Sequence, residues 1–335
     1  MAYLRTAVWS ILHFLVDMVC AWAMYAYFGA GNYENLLIYN FCAFALQLPF
    51  GTFLDLRREK YHRLPTIIAM IGAAATLCGA FSHPALLGVG NALFHIGAGV
   101  DVIEEDFMKN HKGRNLGIFV APGAIGLYLG ALLGKKYTNP IVCVISGVTM
   151  MILLVIRWKQ ADVHTEKVSC APDKHCKLLI LTACCFAVVV VRSFVGLAVT
   201  FSWKSIPLFA AMAVCCTAAG KSCGGFLGAR FGFLRTAVFT LLSASLCFLR
   251  GDVWISGIAA IFLFNMTMPL TLYWLAEKLT GMEGFSFGLL TFGLFLGFLL
   301  VYWQMDVPFA SGVLGAMGSM ISCVLLIMSG KAAKV

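Results

Sequence analysis

Apolar runs of about twenty residues, separated by short polar clusters, recur along the whole chain. Each run is near the ~20 residues an α-helix needs to cross a ~30 Å hydrocarbon core. This pattern predicts twelve spans, near 4–28, 35–55, 64–82, 84–103, 115–134, 139–157, 177–200, 205–228, 234–249, 253–276, 285–303 and 308–329. Most connections between them are tiny, such as Ser82-His83 and Arg250-Gly251-Asp252. The one sizeable loop, 158–176, separates a six-span half in residues 1–157 from a second in 177–335. The expected fold class is an all-α polytopic membrane protein.

Polar residues inside the runs are few, and their positions are selective. His13 and Asp17 stand four apart in the first run, on one helical face. An aspartate at mid-membrane costs about 2.5–3.5 kcal/mol on insertion scales, so such a group marks a site unless it merely fixes helix packing. The fourth run holds Asn91 and His95, the seventh Arg192, and the tenth Asn265 and Thr267. At about 1.5 Å per residue, Asp17, His95 and Arg192 each fall roughly 16–22 Å from their entry surface, the middle of the core. Lys221 reads as structural, or as a partner for a surface latch, within snorkelling reach of the membrane surface. Asp101, Glu104, Glu105 and Asp106 read as a solvated acidic end facing Arg57 and Arg58, with Asp101 the alternative proton-exit site.

Composition then narrows the class. With 61% hydrophobic and 12% charged residues, and a mean hydropathy of +0.90, a soluble domain is excluded. The net charge of +9 points away from nucleic acid once the basic residues are placed, because they sit in short loops. Most gather on one side, against Lys135, Lys136, Lys204 and Arg250 on the other. That bias predicts both termini in the cytoplasm. The thirteen cysteines are scattered through apolar runs and behave as small hydrophobes, with no disulfide framework. No phosphate-binding Gly-x-x-x-x-Gly-Lys loop, His-Glu-x-x-His pair or serine elbow occurs. Neither enzymatic chemistry nor a nucleotide or other cofactor is expected. His164, Cys170, His175 and Cys176 in the central loop fit no zinc spacing, and no metal is expected.

The halves also repeat. The segment 51–57 ends the second run and 224–230 ends the eighth, 173 residues later. Asn91 and Asn265 stand 174 apart, while Gly117 and Gly126 recur 171 later as Gly288 and Gly297. Matches at nearly one offset indicate a parallel duplication of a six-helix unit, with a binding site near mid-membrane between the copies.

The segment Gly51-Thr52-Phe53-Leu54-Asp55-Leu56-Arg57-Arg58-Glu59-Lys60 resembles the signature that the major facilitator superfamily carries between its second and third helices. In that family the motif latches one conformation shut, which the resemblance carries to Gly51, Asp55 and Arg57. Asp55 is suited to pair with arginines or with a helix N-terminus. The second copy has Gly228-Ala229 in the acid's place, so its latch is expected to be weak or absent. His13-x-x-x-Asp17, the run Gly88-Val89-Gly90-Asn91-Ala92-Leu93-Phe94-His95, the glycine-rich 117–130 and Arg192-Ser193 resemble the fosmidomycin-resistance-type branch of the superfamily. Helices 1, 4, 7 and 10 line the cavity in such folds.

The resemblance implies a secondary active transporter working by alternating access, with proton-coupled export (antiport, efflux) of a small organic or drug-like compound. Asp17 with His13 is the expected proton-coupling pair, and Asn91, His95, Arg192, Asn265 and Thr267 are the expected substrate contacts. Protonation of Asp17 would release Arg192 toward an anionic substrate group. Two alternatives stay open: an uptake permease for a small organic ion, and a non-transporting receptor or scaffold on the same fold. Expected partners are a small-molecule substrate, protons and the lipid bilayer. The protein is expected as a monomer in a bacterial cytoplasmic membrane.

Overall fold

A lipid-embedded backbone has no water to satisfy its amides, so its hydrogen bonds close within helices. The computed structural model describes residues 3–29, 31–58, 60–160, 175–304 and 309–333, and its secondary structure is wholly helical there. His164 and Cys170, with most of the central loop, lie outside the described residues. Ten helical segments of 19–25 residues are long and apolar enough to cross a membrane. Two shorter apolar helices, α4 (Leu64–Gly79) and α11 (Phe233–Leu249), bring the spans to the expected twelve.

The first span is α1 (Leu4–Ala26). The second is interrupted: α2 (Tyr33–Asn40) and α3 (Gln47–Arg57) flank a π-helical turn, Phe41–Ala45. The fourth is α5 (Pro84–Met108) and the sixth α8 (Ile141–Lys159). Proline breaks the fifth, because a residue without an N–H ends the helical ladder. Its two parts are α6 (Arg114–Val120) and α7 (Pro122–Lys136). In the second half, α9 (His175–Ala198) and α10 (Pro207–Phe231) form the seventh and eighth spans. The tenth is again split, into α12 (Trp254–Asn265) and α13 (Thr267–Lys278), with Pro269 in the first turn of α13. The chain closes with α14 (Glu283–Tyr302) and α15 (Ser311–Ala332).

Within the first half α1 packs against α7 and α5. Between the halves, α3 lies against α14, and α6 and α7 lie against α10. The α3–α14 crossing requires glycine on both sides. A Cβ at Gly51 would overlap the Gly284 carbonyl, and one at Gly284 would overlap that of Gly51.

One expectation fails here. The acidic end of the fourth span is buried, because α5 runs five residues past its expected end and carries the acids inside the fold. Asp101 accepts from Trp9 Nε1 at 2.6 Å and from Arg157 at 3.0 Å, and it is ion-paired with Arg5. Glu105 meets Lys109 at 2.5 Å. Asp106 accepts the backbone N–H groups of Asn115 and Leu116, at 3.1 and 2.9 Å, across the start of α6. Buried carboxylates persist only when paired, and each of these is. Arg5 and Arg157, at the ends of the first and sixth spans, belong to this core.

Candidate functional site

The proline break in the fifth span prepares the site. Pro122 has no N–H to give the carbonyl four residues back, at Ile118. Ser10 lies at hydrogen-bond distance from that carbonyl, at 3.3 Å, and the next one, of Phe119, accepts from His13 Nδ1 at 2.7 Å. His13 is therefore held by backbone at Nδ1, which must carry the proton, and its Nε2 points to Asp17 Oδ2 at 3.1 Å. His95 is held in the same way from the fourth span. Its Nδ1 donates to the Asn91 carbonyl at 2.8 Å, and its Nε2 stands 3.6 Å from Asp17 Oδ1. The two imidazoles meet edge to face with centroids 4.5 Å apart. Asn91 Nδ2 completes the group, donating to Asp17 Oδ1 at 3.1 Å.

The packing of α1 against α5 thus brings His13, Asp17, Asn91 and His95 together. Asn91 is 2% exposed and acts on Asp17, so its side chain positions the carboxylate. Gly123, at the start of α7, lies directly over the pair: a Cβ there would overlap His13 Nε2 and Asp17 Oδ2. Its role is legible only from the packing.

The tautomers fix the chemistry. With both Nδ1–H groups given to carbonyls, the neutral rings aim two Nε2 lone pairs at one carboxylate. A single added proton converts a repulsive contact into a charge-assisted hydrogen bond. The three ligand atoms lie within 4.8 Å of one another, a set through which a divalent ion could also be held. Cations from the other half weigh against a doubly charged occupant.

Those cations are Arg192 and Lys221. Lys221 lies about 15 Å along α10 from its end at Phe231, at mid-depth. It is within electrostatic reach of Asp17, His95 and Arg192. The reading of Lys221 as a snorkelling structural residue is therefore corrected. Arg192 forms no ion pair with Asp17; its Cζ sits 5.4 Å from the centre of the Phe264 ring, and its Nε and Nη1 are buried without a hydrogen-bond partner among the described residues. Asn265 packs beside Gly220, next to Lys221, while its Nδ2 donates to Ile261. Thr267 is placed elsewhere. It is fully buried, and its hydroxyl donates to the Phe264 carbonyl at 2.7 Å, where it secures the break in the tenth span.

At the end of the molecule where α3 and α14 cross, Asp55 accepts the first free N–H groups of α14, from Gly284 at 2.9 Å and Phe285 at 2.6 Å. Arg58, not Arg57, makes the ionic contacts, to Glu104 at 2.8 Å and to Glu283. Arg57 lies with its guanidinium 5.8 Å from the centre of the Phe53 ring. Neighbouring helical residues point about 100° apart, and sequence does not say which one faces the partner half.

No protein-family model matches the chain, and no curated protein matches it. Solved structures do. A major facilitator superfamily transporter, FucP, in the outward conformation is similar with a TM-score of 0.71 at 12% identity, over 100% of both chains. A variant of the Escherichia coli fucose:proton symporter FucP is similar with a TM-score of 0.70 at 12% identity, over 100% of this chain and 98% of that one. The twelve spans, in two six-helix halves, have the fold of the major facilitator superfamily.

Proposed function

We propose that the chain is a proton-coupled secondary transporter for a small organic compound, working by alternating access between its two halves. One observation carries this reading. Two imidazoles, each fixed by a backbone carbonyl, direct their Nε2 atoms at the same buried carboxylate. Such a cluster binds a proton at Asp17 or Nε2 and releases it when its surroundings change. His13 and His95 share the proton with Asp17, and Asn91 positions the carboxylate. The substrate meets Arg192 and Lys221 from the opposite half.

The basic face, with both chain termini, is taken as cytoplasmic on the positive-inside rule. The Asp55–α14 contact then latches the cytoplasmic side, together with Gly51 and Arg58. Both halves of the site come from one chain, so a monomer suffices. The sequence likeness to the fosmidomycin-resistance-type branch is what favours export. The alternative, uptake of a small organic ion, is favoured by the uncompensated cations Arg192 and Lys221.

Replacing Asp17 with Asn tests the proton site in proteoliposomes. Substrate-driven proton movement, read by an entrapped pH dye, is expected to be lost. Full transport with unchanged pH dependence would overturn the reading.

A further inference from the structure

The charges at mid-depth do not balance. From the first half comes one carboxylate, Asp17, hydrogen-bonded by Asn91 and flanked by His13 and His95. From the second half come two cations, Arg192 and Lys221, and neither has an anionic partner within bonding distance among the described residues. Arg192 has two buried nitrogens without acceptors. Buried polar atoms are satisfied in nearly every native case, so an unsatisfied guanidinium calls for a ligand. The two side chains are also complementary. A guanidinium offers a planar fork for carboxylate or phosphate oxygens, and an ammonium offers a compact point charge.

We infer that the substrate is a small organic anion, held through an oxyanion head group by Arg192 and Lys221, and that it binds together with the proton. The inference rests on the proton-site reading and adds the sign of the coupling. A proton on the His13–Asp17–His95 cluster makes the space between the halves more positive, which strengthens anion binding. By linkage the anion strengthens proton binding equally. Proton and substrate then cross in the same direction, as symport; a cationic substrate would instead compete with the proton and be exchanged for it. The remaining titratable groups near the cluster are Cys20 beside it on α1, Tyr39 on α2 and, behind Cys20, Cys143 on α8. None of them supplies a second negative charge in the range where imidazole titrates.

The test uses the purified full chain with named probes: succinate and benzoate as carboxylates, glycerol 3-phosphate as a phosphate ester. Tetraphenylphosphonium and glucose serve as cationic and neutral controls. Binding is measured by calorimetry and thermal shift at about pH 5.5 and about pH 7.5, across the imidazole range. At least one anion is expected to bind, about tenfold more tightly at the lower pH, a coupling within the usual allosteric range. Lys221→Gln and Arg192→Gln are each expected to weaken that binding at least about tenfold. Arg192→Lys, which keeps the charge, is expected to retain part of it, with melting temperatures confirming that the variants fold. The carboxylates and the phosphate ester separate the two head groups by which is held more tightly.

Binding of the cation alone, no binding of any anion, or anion affinity unchanged in Lys221→Gln and Arg192→Gln would overturn the inference. Asp17→Asn separates it from the proton-site reading. If that variant binds the anion but no longer responds to pH, both stand. If it keeps the full pH response, the proton site falls while an anion site shown by Lys221→Gln survives. Loss of pH response in Asp17→Asn, with no effect of Lys221→Gln, leaves the proton site and removes the anion.

Discussion

The two places where the halves cross on the basic face are built alike and fastened differently. At one, α3 meets α14 through Gly51 and Gly284; at the other, α10 meets α6 through Gly225, against Gly113 and Gly117. Backbone lies on backbone in both. The first crossing adds Asp55, reaching across the halves to cap α14, with Arg58 bridging Glu104 and Glu283. In the second, the repeat places Gly228 where the acid would be, and the N-terminus of α6 is capped by Asp106 from its own half. Both helix ends find a carboxylate, but only one carboxylate ties the halves together. A cavity of about 380 Å³ occupies the unfastened seam, lined by residues including Lys112, Gly113, Gly228 and Tyr273. The packing is alike at the two crossings and the electrostatics differ. The first pair is fastened across the halves by charge; among the described residues, the second is held by packing alone.

The largest expected effect tests what the crossings share. Gly284→Val and Gly225→Val each force a side chain into backbone, and overpacking of this kind costs about 1–3 kcal/mol. Both variants are expected to drive this face open, read as a longer distance between spin labels on the two halves. A harmless Gly225→Val would show that the second crossing is not tight. Next comes the difference between them. Asp55→Asn removes the charge that faces the α14 N–H groups, for about 2 kcal/mol, or roughly a thirtyfold shift toward the open face. No opening by the same label measurement would remove the latch role. Arg58→Gln is expected to cost about 1 kcal/mol, and Arg57→Gln less than about 0.5 kcal/mol, by the same measurement. A reversed order would return the latch to Arg57. No gain in closure is expected from Gly228→Asp, which stays within about 1 kcal/mol of the parent, because Asp106 already holds the start of α6 and the new Cβ displaces only the flexible end of Leu270. Closure as strong as that given by Asp55 would show the seam lacked only a charge.

The site divides by the same logic. His13 and Asp17 were legible because a spacing of four fixes a shared face, and His95 because its depth matched. The tautomers were not legible, since they depend on carbonyls at Asn91 and Phe119, the latter turned toward α1 beside a proline break in a distant span. The place of Lys221 was not legible, because distance from the glycine-rich segment does not show that its ammonium faces Asp17, His95 and Arg192. Thr267 matched by position in the tenth span, but its hydroxyl is consumed by the helix break.

What the sequence determined is what hydrocarbon imposes residue by residue: the spans, their duplication and the rarity of charge within them. A bilayer acts on each helix separately, so length and hydropathy suffice to read its demands. Which charge faces which is a property of helices packed together. Only the tertiary structure placed Asp101 between Arg5 and Arg157, chose Arg58 over Arg57, and set Lys221 and Arg192 against a single carboxylate. Rotation and register between helices are fixed by close packing of small residues, and no one helix encodes them.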